Sequence, residues 1–123
     1  MTPVKQTRYG REGNCLAACV ASVLECRLED VPDFGYDGWY QQLENWLMRQ
    51  QLRLLRSDSE QPRLGTAIAV GNSERNLRHA VVWYDGRMLH DPHPGRTGLV
   101  GDPVYFLYVV IGSQEGLGTE LCI

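Results

Sequence analysis

Three side chains in this sequence could together open an acyl bond: Cys15, His79 and Asp91. Cysteine catalysis needs a thiolate nucleophile, an imidazole that pairs with it and moves protons, and often a third group that holds the imidazole. Cys15 follows Gly13-Asn14 and leads Leu16-Ala17-Ala18-Cys19-Val20-Ala21-Ser22-Val23-Leu24, a small and apolar run with helical character. Asparagine is a favoured N-cap, and glycine permits an unusual backbone approach. Free N–H groups at a helix start carry partial positive charge and favour a thiolate placed among them. His79 opens the strand-like run His79-Ala80-Val81-Val82-Trp83-Tyr84, and Asp91 closes the run that follows it. A helix packed on an antiparallel sheet would bring the three together.

Whether His79 and Asp91 share a face is a matter of counting. Asp85-Gly86 is a strong hairpin turn, and Arg87-Met88-Leu89-His90 is the return strand. With Asp85 and Gly86 alone in the loop, Tyr84 faces Arg87, Ala80 faces Asp91, and His79 points to the opposite face. With a three-residue loop Tyr84-Asp85-Gly86, in which a left-handed Gly86 forms a bulge, Trp83 faces Arg87 and His79 faces Asp91. Directly opposed residues share a face. A working triad therefore predicts the bulged three-residue loop.

The remaining elements place these groups in an α+β order, helices first and strands afterwards. Residues 1–12 read as a polar entry loop. The cysteine helix runs from about Asn14 or Cys15 to about Glu25, buried on most sides, with a further turn over Leu28 to Val31 that Pro32 stops. A second helix over about Gly38 to Gln50 buries Trp39, Leu43, Trp46 and Leu47, which recur at helical spacing. Strands are expected over residues 52–56, 66–70 and 104–111, with Gly71-Asn72 ending the second. Asp91-Pro92-His93-Pro94-Gly95 leaves the sheet. The expectation is one domain over residues 1–111 and a flexible tail over 112–123.

Composition narrows the function classes. The chain has 123 residues and a net charge of −3, which argues against general nucleic-acid binding. No apolar run approaches the roughly 18 residues that a membrane span needs, and the first residues lack a signal-peptide core. A cytoplasmic protein without cofactor, metal or membrane attachment is expected. The cations are eleven arginines and Lys5. Arg75, Arg78, Arg87 and Arg96 read as solvated surface rather than a binding patch. Cys19 lies one turn beyond Cys15 and reads as core, while Cys26 and Cys122 read as incidental free thiols. His90 and His93 flank Asp91 and could be drawn with His79 as a metal site. Neighbouring strand residues point to opposite faces, however, so a metal is not expected.

The residues resemble a known group. Gln6, Gly13-Asn14-Cys15 with Ala18-Cys19, and His79-Ala80-Val81-Val82 followed by His90-Asp91-Pro92 look like the papain-like cysteine peptidases. They are nearest the double-glycine leader peptidases of bacteriocin exporters and small papain-like proteins of bacteria and phages. The resemblance implies a papain-like domain with Cys15 as nucleophile, His79 as general base and acid, and Asp91 as orienting group. It implies Gln6 as an oxyanion donor beside the Cys15 N–H. Gln6 lies nine residues before Cys15, against the six usual in such enzymes, so the intervening loop must fold back. The implied activity is peptidase or isopeptidase chemistry on a peptide or protein, through a thioester, with deamidation or transfer by the same triad. The alternative is a catalytically idle papain-like scaffold that acts by contact with a host or phage protein.

Overall fold

The computed structural model describes residues 1–10, 13–34 and 37–112. Helix α1 (Cys15–Leu24) is followed by a 3-10 turn at Leu28–Asp30 and helix α2 (Trp39–Met48). Strand β1 (Leu52–Ser57), a 3-10 turn at Pro62–Leu64, β2 (Ala67–Asn72), β3 (Arg78–Tyr84), β4 (Arg87–His90) and β5 (Val100–Ile111) complete the chain order. The strands form one antiparallel sheet in the order β1-β5-β2-β3-β4. This is the expected α+β class, with the cysteine helix packed on an antiparallel sheet. No helix among the described residues is long and apolar enough to cross a membrane. Gly112 still donates its N–H to the Gln51 carbonyl, 2.9 Å away. The rest of the expected tail, residues 113–123 with Cys122, lies outside the described residues.

Side-chain alternation divides the core between two sheet faces. Ile68, Val70, Ala80, Val82, Tyr105 and Leu107 meet both helices. Ala67, Ala69, Val81, Phe106 and Tyr108 form a second cluster on the far face, closed by Leu64, Trp83 and Leu99. Helix α1 buries Ala17 to Ser22, and small side chains there let its backbone approach the sheet. It ends at Glu25 in the left-handed region, without a glycine.

Residues 1–8 do more than enter. Thr2 N–H bonds the Ser22 carbonyl at 3.1 Å, and Val4 N–H bonds Ser22 Oγ at 2.9 Å. The His90 ring meets the Val4 carbonyl at 2.7 Å, and Gln6 N–H meets the Pro92 carbonyl at 3.1 Å. This strap ties the buried middle of α1 to the end of β4, the two elements that carry Cys15 and precede Asp91.

The hairpin corrects the expected turn. Tyr84 pairs with Arg87, so the loop holds Asp85 and Gly86 alone, both at positive φ. That is the backbone an Asp-Gly type I′ turn adopts to match strand twist. The bulge lies further along: Trp83 pairs with Met88, but Val82 pairs with His90, leaving Leu89 as the extra residue. One extra residue on one strand reverses the alternation beyond it. His79 and Asp91 thus regain a common face as diagonal neighbours, by a bulge in the return strand instead of in the turn.

Strand β5 begins at Val100 rather than Val104, and β2 keeps Gly71 and Asn72. Gly101-Asp102-Pro103 looks strand-breaking, yet the ladder is restored by a register shift opposite Gly71, between Val70 and Asn72. Proline is tolerated in a sheet where the ladder is already interrupted.

Candidate active site

The start of α1 is not capped as expected. Asn14 occupies the N-cap position at φ −116° and ψ 35°, and its side chain makes no capping bond. It turns back instead. Asn14 Oδ1 accepts from Thr7 N–H and Arg8 N–H, each at 2.9 Å, and Asn14 Nδ2 donates to Thr7 Oγ1 at 2.9 Å. The first N–H groups of α1 are left for whatever lies before them. Cys15 is partly exposed.

The same fold-back bridges the long interval from Gln6 to Cys15. The Arg8 carbonyl accepts Gln6 Nε2 at 2.8 Å and the Asn14 N–H at 3.2 Å. Gln6 is therefore held one shared carbonyl away from the residue before Cys15. Its amide has two N–H donors, and one goes to Arg8. Its Oε1 is buried without a partner, a strained position for a polar atom.

His79 stands second in β3, opposite Gly71, and only 4% of it is exposed. Its Nε2 lies 2.6 Å from Asp91 Oδ1. Asp91 is itself fixed from two further directions. His93 N–H donates to Oδ1 at 2.9 Å, and Gly98 N–H donates to Oδ2 at 2.8 Å. With Nε2 taken by Asp91, Nδ1 is the ring nitrogen left for Cys15. Burial pulls the His79 pKa down, but the hydrogen bonds its ring makes with Asp91 and Cys15 and the charges of both outweigh it, and it is pushed up to about 9. Burial raises the Asp91 carboxyl, yet the His79 bond and the two backbone donors bring it down to about 2. At neutral pH the pair is an imidazolium held by a carboxylate beside the cysteine sulfur.

Neighbouring groups are set apart from this chemistry. Cys19 is fully buried, and burial, with the charges of Cys15 and Asp91, pushes its thiol well above the ordinary range. It stays a core thiol. His90 turns to Val4, and His93 Nδ1 accepts the Gly95 N–H at 2.9 Å, so the histidines do not converge on one point. Burial and the Arg75 charge lower the His93 pKa. Its ring lies edge-on to His79 at 6.2 Å and to Tyr9 at 5.3 Å, which makes an aromatic rim beside the imidazole. Among the described residues no group of three His, Cys, Asp or Glu could hold a metal ion.

Cys15, His79 and Asp91 thus come together, with Gln6 close by. Sequence reasoning missed the Asn14 tether, the His93 rim and the Gly98 donor. The Asn14-Thr7 spacing carries no local signal, and the Gly98 bond exists only once residues 92–98 fold over Asp91. Comparison of the chain with known protein families, with curated proteins and with solved structures finds no match.

Proposed function

We propose that this protein is a cysteine-dependent acyl-transfer enzyme of papain-like design, acting on an amide or isopeptide bond of a peptide or protein. The supporting observation is the buried 2.6 Å His79–Asp91 pair, whose free ring nitrogen is left for Cys15 at a helix start.

Each residue has a distinct task. The Cys15 sulfur attacks the carbonyl carbon, and the carbonyl π electrons move onto oxygen. The Cys15 N–H and the second N–H of Gln6 are the donors available to that oxyanion, and one such donor is worth about 10²–10³ in rate. The His79 imidazolium gives its proton to the leaving nitrogen, the C–N bond breaks, and a thioester remains on Cys15. Neutral His79 then takes a proton from water as its oxygen attacks the thioester, and the thiolate leaves. Asp91 holds the ring in one tautomer and stabilises its cationic form throughout.

Iodoacetamide labelling near neutral pH, read by peptide mass mapping, tests this. Cys15 should be alkylated at least about tenfold faster than Cys19, Cys26 or Cys122, as expected for an ion-paired thiolate. Equal or slower labelling of Cys15 would overturn the reading and leave the idle, contact-binding scaffold in its place.

A further inference from the structure

Two rings beside the triad take part in none of its steps. The His93 ring meets the His79 ring edge-on, 6.2 Å between centroids and 86° between planes. The Tyr9 ring meets His93 in the same way, at 5.3 Å and 72°. Tyr9 is exposed and His93 is half-buried, so both present ring surface to solvent. Each is held by residues that carry the chemistry. The His93 N–H donates to Asp91 Oδ1, and its Nδ1 accepts the Gly95 N–H. A ring nitrogen that accepts carries no proton, so in this arrangement the ring is uncharged and its N–H is at Nε2. Tyr9 belongs to the loop folded onto the residues before Cys15. The Gly13 N–H donates to the Gly10 carbonyl at 3.0 Å, and a Cβ at Gly13 would lie 3.2 Å from the Tyr9 carbonyl carbon. Glycine there lets the backbone carrying Tyr9 close onto the segment that leads into Cys15. The Tyr9 hydroxyl donates to the Gln6 carbonyl at 3.4 Å. The two rings thus form a wall with His79 at one end and Gln6 at the other.

That position decides which part of a substrate would meet the wall. A carbon attacked by the Cys15 sulfur carries the sulfur, the oxyanion, the nitrogen that takes the His79 proton, and the acyl chain. The oxyanion turns to Gln6 and the nitrogen to His79, the two ends of the wall. Whatever the nitrogen carries therefore passes along His93 and Tyr9, and the acyl chain extends away from them. An aromatic ring on the nitrogen side would add a further edge-to-face contact to a pair already set at a right angle, with no charge to desolvate.

We propose that Tyr9 and His93 form the subsite for the amine side of the attacked bond, and that it selects an amine bearing an uncharged aromatic group, such as a phenylalanyl residue. This rests on the roles of Cys15 and His79 proposed above. The same subsite takes an incoming amine when the thioester is opened by aminolysis. The amine nitrogen attacks the carbonyl carbon, His79 takes its proton, the C–S bond breaks to release the Cys15 thiolate, and an amide replaces the thioester.

Acyl transfer between small molecules tests it. p-Nitrophenyl acetate should acetylate Cys15 with a burst of p-nitrophenolate, and phenylalaninamide and alaninamide, supplied together, then compete for the acetyl group. The ratio of N-acetylphenylalaninamide to N-acetylalaninamide, read by mass spectrometry, is compared with the ratio from a free acetyl thioester in the same buffer. Wild type should favour phenylalaninamide about fivefold over that reference, as for one added aromatic pair. Tyr9→Ala and His93→Ala should each keep the burst and lower the preference, and together they should bring it to the reference. Tyr9→Phe should keep it, as should Tyr84→Ala, an exposed ring at the hairpin turn. A wild-type ratio equal to the reference, or an undiminished preference in the double variant, would overturn the subsite. Loss of the burst in both single variants would show that the rings only support the triad, and would overturn it too. If wild type gives no burst, or Cys15→Ala gives the same burst, the nucleophile itself is wrong and the subsite falls with it.

Discussion

Replacing Asp91 by asparagine probes the site at its most connected atom pair. The carboxylate accepts from His79 and His93 at Oδ1 and from Gly98 at Oδ2. Asparagine can keep the first two bonds only by turning its Nδ2 towards the Gly98 N–H, donor against donor. An unsatisfied buried donor costs about 1–3 kcal/mol at any pH. The charge contributes separately. His79 is displaced from 6.5 to about 9, which corresponds to about 3 kcal/mol shared between its Asp91 and Cys15 partners. Removing Asp91 should therefore remove about 2 kcal/mol of that, counting the pair once. A raised histidine pKa gives stability that is full below about pH 6.5 and is lost as pH rises through about 9. The depressed Asp91 pKa gives stability that is full above its ordinary 3.8 and is lost as pH falls through about 2. The gap between wild type and Asp91→Asn should thus be widest between about pH 4 and 6.5. Urea unfolding followed by circular dichroism should give a gap of about 3–5 kcal/mol at pH 6 that narrows to the donor cost, about 1–3 kcal/mol, at pH 10. A gap of equal size at both pH values would refute the charged pair.

Two other perturbations address how the site is assembled. Deleting Leu89 removes the bulge and turns Asp91 away from His79; the His79 imidazole, followed by NMR titration, should lose its raised pKa, whereas Leu89→Ala should keep it. A deletion variant that folds and retains the raised value would show that the bulge does not set the pairing. Gln6→Ala should lower kcat/KM on a cleaved peptide by about 10²–10³, with a far smaller effect on iodoacetamide alkylation, which forms no oxyanion. Parallel loss in both assays would mean that Gln6 only supports the loop.

Much of the fold was legible because its signals are local. The apolar run after Cys15, the helical spacing of Leu43 and Leu47, and Asp85-Gly86 between two strand-like runs each declare an element within a few residues. The boundaries that moved depend on partners far away in the chain. Strand β5 starts at Val100 because Asn72 is there to pair with it, and a bulge absorbs the proline-containing stretch. Residues 1–8 have no strand or helix pattern, and their role as a strap arises from Ser22, His90 and Pro92.

The candidate site divides the same way. Residue types determined which groups could do chemistry: a thiol at a helix start, an imidazole opening a strand, and a carboxylate before Pro92. Sequence also determined that His79 and Asp91 needed one extra residue between them to meet, because side chains alternate with period two. It did not determine where that residue would be. A two-residue turn with a bulge at Leu89 and a three-residue turn with a bulge at Gly86 give the same alternation. Local propensity does not separate them, and only the packed sheet does. The backbone donors on Asp91 and the Asn14 tether were likewise decided by tertiary structure, since each joins residues whose neighbours in sequence give no sign of the other.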